Sequence, residues 1–266
     1  MIQVFKLSNK DIPKVYEYIK GEPEVTLLIQ GDLELYGLQS PNVALYAIGE
    51  NWDSILLKYY SDYILYSKGP TFNTKPVASL LARQEKIVAI KGKESLVLQM
   101  KSQYPKQKVT GTYLCRCDRT NFTPKPEATL NMRKLTKEDA SAVVSLYQQI
   151  EEFAPPYLNH TKEKLAEITN NLAQGGVALG IFEGKKLLSS VYTTATTKQA
   201  AMVVGVATLP EARNRGYASA LVSKICSLCF ESGLEFLCLY FDNPTAGAIY
   251  TKLGFEVVDR WATMRF

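Results

Sequence analysis

Between Val204 and Leu221 the chain reads VGVATLPEARNRGYASAL, and this stretch has the types and spacing to hold an anion. A run of β-branched residues ends at Pro210, and Arg213-Asn214-Arg215-Gly216-Tyr217-Ala218 leads straight into an amphipathic helical pattern. The first turn of a helix leaves backbone N–H groups unpaired and carries partial positive charge. A glycine lets main chain approach a phosphate closely. Arg213 and Arg215 add fixed charge beside it, so a pyrophosphate placed here is met largely by main-chain donors. The plain alternative is a strand–loop–helix connection with surface arginines, and a glycine-bearing loop alone separates the two poorly.

A second segment decides between them. Downstream lies Asn243-Pro-Thr-Ala-Gly-Ala-Ile-Tyr250-Thr-Lys-Leu-Gly254-Phe255. The order and separation of Arg-x-x-Gly-x-Ala, three residues after Leu-Pro, and of Asn…Tyr…Leu-Gly-Phe resemble the GNAT superfamily of acyl-CoA-dependent N-acetyltransferases. The wording VATLPEARNRGYA is closest to its glycine acyltransferase-like branch. The resemblance covers about residues 128–266; LLIQGDLELYG, near the start, is similar to the N-terminal half of two-part acetyltransferases.

The resemblance implies roles for particular residues. Val206, Ala207 and Thr208 end the fourth strand, whose backbone hydrogen-bonds the pantetheine arm. Asn214, Arg215, Gly216, Tyr217, Ala218 and Ser219 wrap the pyrophosphate of acetyl-CoA, with the charge of Arg213 beside it. Asn243 contacts the cofactor near its thiol end, and Tyr250 is the general acid that protonates the departing thiolate. A phenol near pKa 10 is matched to that task. The competing reading makes Tyr250 a core residue on the face of Ala246, Ile249 and Leu253. Many relatives place a glutamate on the fourth or fifth strand as base. Here AAMVVGVAT has no acid and Cys238 stands on the fifth strand, which leaves Glu183, Tyr192, Glu235 and Asp242 as open candidates. The implied reaction is acetyl transfer from acetyl-CoA to a primary amine, on a small molecule or a peptide, by direct attack. The alternative is a non-catalytic acyl-CoA-binding or sensing protein that keeps the fold.

The elements that must position these residues follow from patterning. The segment Asp118–Ala128 (DRTNFTPKPEA) is polar with two prolines and reads as a linker. This gives domains at 1–124 and 125–266. Before it, MIQVFKL alternates as a strand, and a helix starts at Asn9 with Val15, Tyr18 and Ile19 on its apolar side. VTLLIQGDLELYG is apolar and breaks at Gly31 and Gly37. NVALYAIGENWDSILLKYYSDYILYS holds two or three strands, and KIVAIKG and KVTGTYLCRC two more. After it, ATLNMRKL is a strand. Thr136 and Asp139 form a capping box for a helix running to about Ile150. A helix over Lys162–Ala173 ends at Gly175-Gly176, and three strands follow. A helix from about Gly216 to Ser232, a strand, a helix from about Thr245 to Leu253 and a last strand complete the chain. With the family resemblance, the expected fold is α/β (α+β): a mixed, mostly antiparallel GNAT-type sheet flanked by helices, preceded by a second α/β domain that is a degenerate GNAT-like half. No residue-level repeat is read between the halves.

Composition excludes other classes. The 266 residues are 46% hydrophobic and 21% charged, a globular balance. Net charge is +5, and the densest basic stretch, Lys101–Lys108, has three charges over eight residues, too sparse for nucleic acid. MIQVFKLSNKDIP is neither a secretory signal nor a membrane span, so a cytoplasmic address without membrane contact is expected, as a monomer or homodimer. The five cysteines sit at core-facing spacings, Cys115 with Cys117 on a strand and Cys226 with Cys229 in a helix. They are read as reduced thiols rather than metal ligands. The one histidine, His160, lies before a helical run and offers no spacing for a Cys–His pair.

Overall fold

A computed structural model describes residues 3–126, 130–173 and 176–266. The chain forms two compact units. The first holds Met1–Cys115, Tyr240–Asn243 and Val257–Phe266, and the second holds Arg116–Leu239 and Pro244–Glu256. The unit boundary thus falls before the polar DRTNFTPKPEA segment, and the last ten residues return to the first unit.

The first unit runs β1 (Val4–Lys6), α1 (Ile12–Ile19), α2 (Leu27–Tyr36), β2 (Val43–Ile48), β3 (Ser54–Tyr59), β4 (Asp62–Tyr66), α3 (Thr74–Leu81), β5 (Ala89–Lys93), α4 (Glu94–Gln99) and β6 (Val109–Asp118), whose last residues belong to the second unit. The second runs β7 (Met132–Lys134), α5 (Ala140–Gln148), α6 (Ala154–Asn159), α7 (Thr161–Ala173), β8 (Ala178–Glu183), β9 (Lys186–Thr194), β10 (Ala200–Thr208), α8 (Tyr217–Glu231), β11 (Phe236–Phe241) and α9 (Pro244–Lys252). The final strand, β12 (Glu256–Arg265), pairs antiparallel with β5, Trp261 opposite Lys93 and Arg265 opposite Ala89. Within the first unit the strands therefore lie in the order β1-β2-β3-β4-β5-β12, and within the second β7-β8-β9-β10-β11. All these pairs are antiparallel except β4–β5 and β10–β11. This is the mixed, mostly antiparallel sheet with flanking helices that the resemblance implies.

The two units open in the same way. Lys6-Leu7-Ser8-Asn9-Lys10-Asp11 and Lys134-Leu135-Thr136-Lys137-Glu138-Asp139 both run strand, cap, 3₁₀ turn and helix, and Ser8 and Thr136 share φ −125° and ψ 174°. In each, the carboxylate three residues on accepts the cap's backbone N–H, at 2.8 Å for Asp11 and 2.9 Å for Asp139. The short K-L-[ST]-x-x-D repeat is thus present in the sequence and corrects the reading that the halves share no residues.

Other expectations need correcting. Helix α2 passes through Gly31 without a break; the residue is buried, where a missing side chain lets the helix pack closely. The break comes at Gly37 (φ +59°), whose N–H bonds the Leu33 carbonyl. Helices α3, α4 and α6 are additional: each has only six to eight residues, too few for a clear period. The supposed linker is strapped to the second unit through residue 125. Phe122 packs on Phe230, the Thr123 N–H bonds the Leu253 carbonyl, and the Lys125 N–H bonds Ser223 Oγ. Its end at Ala128, like Gly175 at the close of α7, lies outside the described residues.

In the second unit, α5, α6 and α7 bury Val143, Tyr147, Tyr157 and Ile168 against Leu187, Leu188 and Ala207 of β9 and β10. In the first, Val77 and Leu81 of α3 share a core with Leu56, Tyr63, Ile90, Ala262 and Met264.

Candidate active site

The site is made by two strands that part. β10 and β11 pair only from Ala200↔Phe236 to Met202↔Cys238. Beyond Met202, β10 runs on to Thr208 with no strand partner on that side, so its backbone edge is open to a ligand. On the other side β9 holds it, with a bulge: Val204 opposes Tyr192 and Ala207 opposes Ser190, and Gly205 and Val206 have no register partner. Side-chain hydroxyls take the carbonyls on that side. Ser190 Oγ and Tyr147 Oη donate to the Gly205 carbonyl at 3.2 and 3.3 Å, and Ser189 Oγ donates to that of Ala207 at 2.8 Å.

Only glycine fits at 205. Its φ is +62°, and a Cβ there would meet Tyr147 Oη and Tyr192 Cε1, both at 2.3 Å. The bulge is thereby walled by two phenols. Burial pushes the Tyr192 phenol up to about 12, with the charge of Glu167 adding to the rise. Burial likewise holds Tyr147 well above its ordinary value. Tyr147 also stacks on Phe153 (4.9 Å between ring centres) and meets Tyr157 edge-on. Tyr192 was a base candidate from the sequence, but a phenol raised this far stays protonated at neutral pH. Tyr147, Tyr192 and Gly205 carry no joint sequence signal, because a helix and strands far apart in the chain bring them together.

At the end of β10, Pro210–Ala212 makes one 3₁₀ turn and the chain enters α8 through Asn214 (φ +63°) and Gly216 (φ +78°). These left-handed residues bracket Arg215 and turn the main chain toward the helix start. The Ala220 N–H is the first to bond within the helix, to the Gly216 carbonyl, so the amides of Tyr217, Ala218 and Ser219 lack an intrahelical acceptor. A Cβ built on Gly216 would meet nothing within 4 Å, so the loop presents an open seat. Arg213 is 46% exposed, donates to the Thr208 carbonyl and makes a loose 3.4 Å pair with Glu152. Arg215 donates to the Glu211 carbonyl at 3.2 Å. Such exposed contacts are weak enough to be given up to a ligand.

Val206–Thr208, Arg213–Ser219 and Tyr250 all fall in the second unit, while Asn243 belongs to the first and immediately precedes α9. Tyr250 is 6% exposed, on the buried side of α9 with Gly247, and its ring meets Phe255 edge-on at 6.1 Å. Of the base candidates, Glu183, Glu235 and Asp242 are exposed, and Glu235 accepts from Gln199. All five cysteines are buried. Burial raises the thiols of Cys115 to about 11 and of Cys117 and Cys229 to about 12, which suits packing rather than nucleophilic chemistry.

The first unit repeats the element order without the opening. β4 and β5 stay paired from Asp62↔Ala89 to Leu65↔Gly92, and β3–β4 pairing is free of a bulge. A Cβ on Gly92 would meet the Leu65 carbonyl oxygen at 2.5 Å. At the end of β5, Lys93 bonds Glu22 and Asp259, and Tyr66 donates to Glu22.

Residues 131–258 match the family model of an acetyltransferase (GNAT) domain. The whole chain is similar to a solved Drosophila protein (TM-score 0.72, 12% identity, 100% of this chain and 99% of that one). It is also similar to a tandem GNAT protein from the clavulanic acid biosynthesis pathway, solved without acetyl-CoA (0.63, 13%, 99% and 98%). A GCN5-related N-acetyltransferase from Sphaerobacter thermophilus gives 0.60 at 13% identity, over 100% of this chain and 95% of that one. At these identities the likeness is one of fold. No curated protein matches the sequence.

Proposed function

From the premise that this chain carries a GNAT acetyltransferase domain over residues 131–258, we propose that it transfers acetyl from acetyl-CoA to a primary amine by direct attack. The observation that carries the reading is the parting of β10 from β11 after Met202, with the open edge leading into the Arg213–Ser219 loop. Pantetheine lies along Val206, Ala207 and Thr208 as a substitute strand. The pyrophosphate sits on the amides of Tyr217, Ala218 and Ser219 with Arg213 and Arg215 beside it. Asn243 lies toward the thiol end.

In this reading the amine nitrogen attacks the thioester carbon and the carbon–sulfur bond breaks. Backbone N–H groups at the Gly205–Val206 bulge stabilise the oxyanion. Tyr250 gives its proton to the thiolate. The proton the amine loses passes to water at the open acceptor end. Tyr147 and Tyr192 stay neutral and shape the acceptor end. Steady-state release of free CoA across a panel of small-molecule and peptide amines tests the proposal. Turnover with at least one amine is expected. Tight CoA binding with no turnover on any amine means that the chain is an acyl-CoA-binding or sensing protein instead.

A further inference from the structure

The first unit holds a groove between its outer strands and α3. Helix α8 has 15 residues and packs over β8, β9 and β10. Its counterpart α3 has 8 residues and shares a core with Ile48 of β2. Beside α3 the groove is lined by Val4 and Lys6 of β1 and by Tyr46 of β2, which stands opposite Lys6 in the sheet. Its far wall is Pro76, Ser79 and Leu80 on one side of α3, continued by Arg83 in the turn just past the helix, with Lys75 beside them.

The result is a cavity of about 560 Å³, in the usual size range for a small-molecule site. Its lining holds three cations, Lys6, Lys75 and Arg83, and no carboxylate. None of the three makes an ion pair among the described residues, whereas Lys58, Lys91 and Lys93 of the same unit each have a side-chain partner. The floor between them is apolar, from Tyr46, Leu80, Val4 and Pro76. The helix end is not the seat of charge, because Asp53 already accepts the Asn73 N–H there. We propose that this groove binds a small organic anion, a carboxylate or phosphate ester on a flat or aliphatic body. The ring of Tyr46 and the side chain of Leu80 cover the body and the three cations hold the charge.

The aromatic sulfonate 1-anilinonaphthalene-8-sulfonate combines these features and serves as probe, titrated by fluorescence at low salt against the full chain. Saturable binding at one site per chain is expected. Reversing the three cations (Lys6→Glu, Lys75→Glu, Arg83→Glu) should weaken it at least tenfold. Reversing three exposed lysines elsewhere (Lys106→Glu, Lys137→Glu, Lys185→Glu), with the same change in net charge, should alter it less than twofold. Ser79→Trp, which fills the groove without touching charge, should also abolish it. Equal weakening by both triple variants, an unaffected Ser79→Trp, or no saturable binding to the wild type would overturn the proposal.

Discussion

Replacing Tyr250 by phenylalanine removes one oxygen from a side chain that packs against Phe255 on the buried face of α9. If the phenol is the proton donor to the leaving thiolate, the variant keeps its fold and CoA affinity and loses roughly 10²–10⁴-fold in kcat. If the phenol only packs, the change costs about 1 kcal/mol of stability and leaves turnover intact. Turnover and melting temperature measured on the same preparation separate the two outcomes. At this scale the sequence was readable where chemistry is local. Arg213 to Ser219 are consecutive, and Asn243 and Tyr250 stand seven apart on one short segment. Gly205 was not readable as a bulge, since its need for glycine comes from two phenols contributed by α5 and β9.

At the scale of elements, the caps of the two units make a testable pair of devices. Arg133, first, and then the Thr136 amide hold the Asp139 carboxyl below the usual carboxylate range. A folded value below the unfolded one stabilises the protein above the unfolded pKa of about 4, and this is lost as pH falls through the folded value. Asp139→Ala is therefore expected to cost roughly 1 kcal/mol at pH 7, or about 2–4 °C in melting temperature. Wild type and variant should converge in melts taken progressively below pH 4. A gap that stays constant to pH 2 would show that the carboxylate charge is not what stabilises this helix start. The longer strands and α8 were legible, because a period of two or of 3.6 accumulates over many residues. The short helices were not, although Asn73 caps α3 and Pro155 begins α6.

The organisation of the whole chain was only partly visible in the sequence. Two similar halves could be inferred from the order of elements, but the return of residues 257–266 to the first unit could not, because β12 reads like any other strand. That return has an energetic consequence. β12 brings Trp261, Ala262 and Met264, all buried, to the exposed edge of β5. Burying Trp261 and Met264 is worth roughly 2–3 kcal/mol each, a large share of the about 5–15 kcal/mol that holds a domain folded. A fragment of residues 1–115 is expected to lack a cooperative thermal transition, and fusing residues 256–266 to its end through a flexible linker should restore one. A fragment that melts cooperatively alone would show that the first unit does not need its distant strand.

The central claim is that the opening between β10 and β11, with the amides at the head of α8, holds CoA. Titration calorimetry of CoA against wild type and Gly216→Asp tests it most directly. Gly216 has φ +78° and open space before it, so an aspartate there strains the turn and sets a negative charge against the pyrophosphate. One CoA bound per chain in the wild type, and affinity at least a hundredfold weaker in a variant whose circular dichroism is unchanged, is the expected result. Equal affinity in the two proteins would contradict the account.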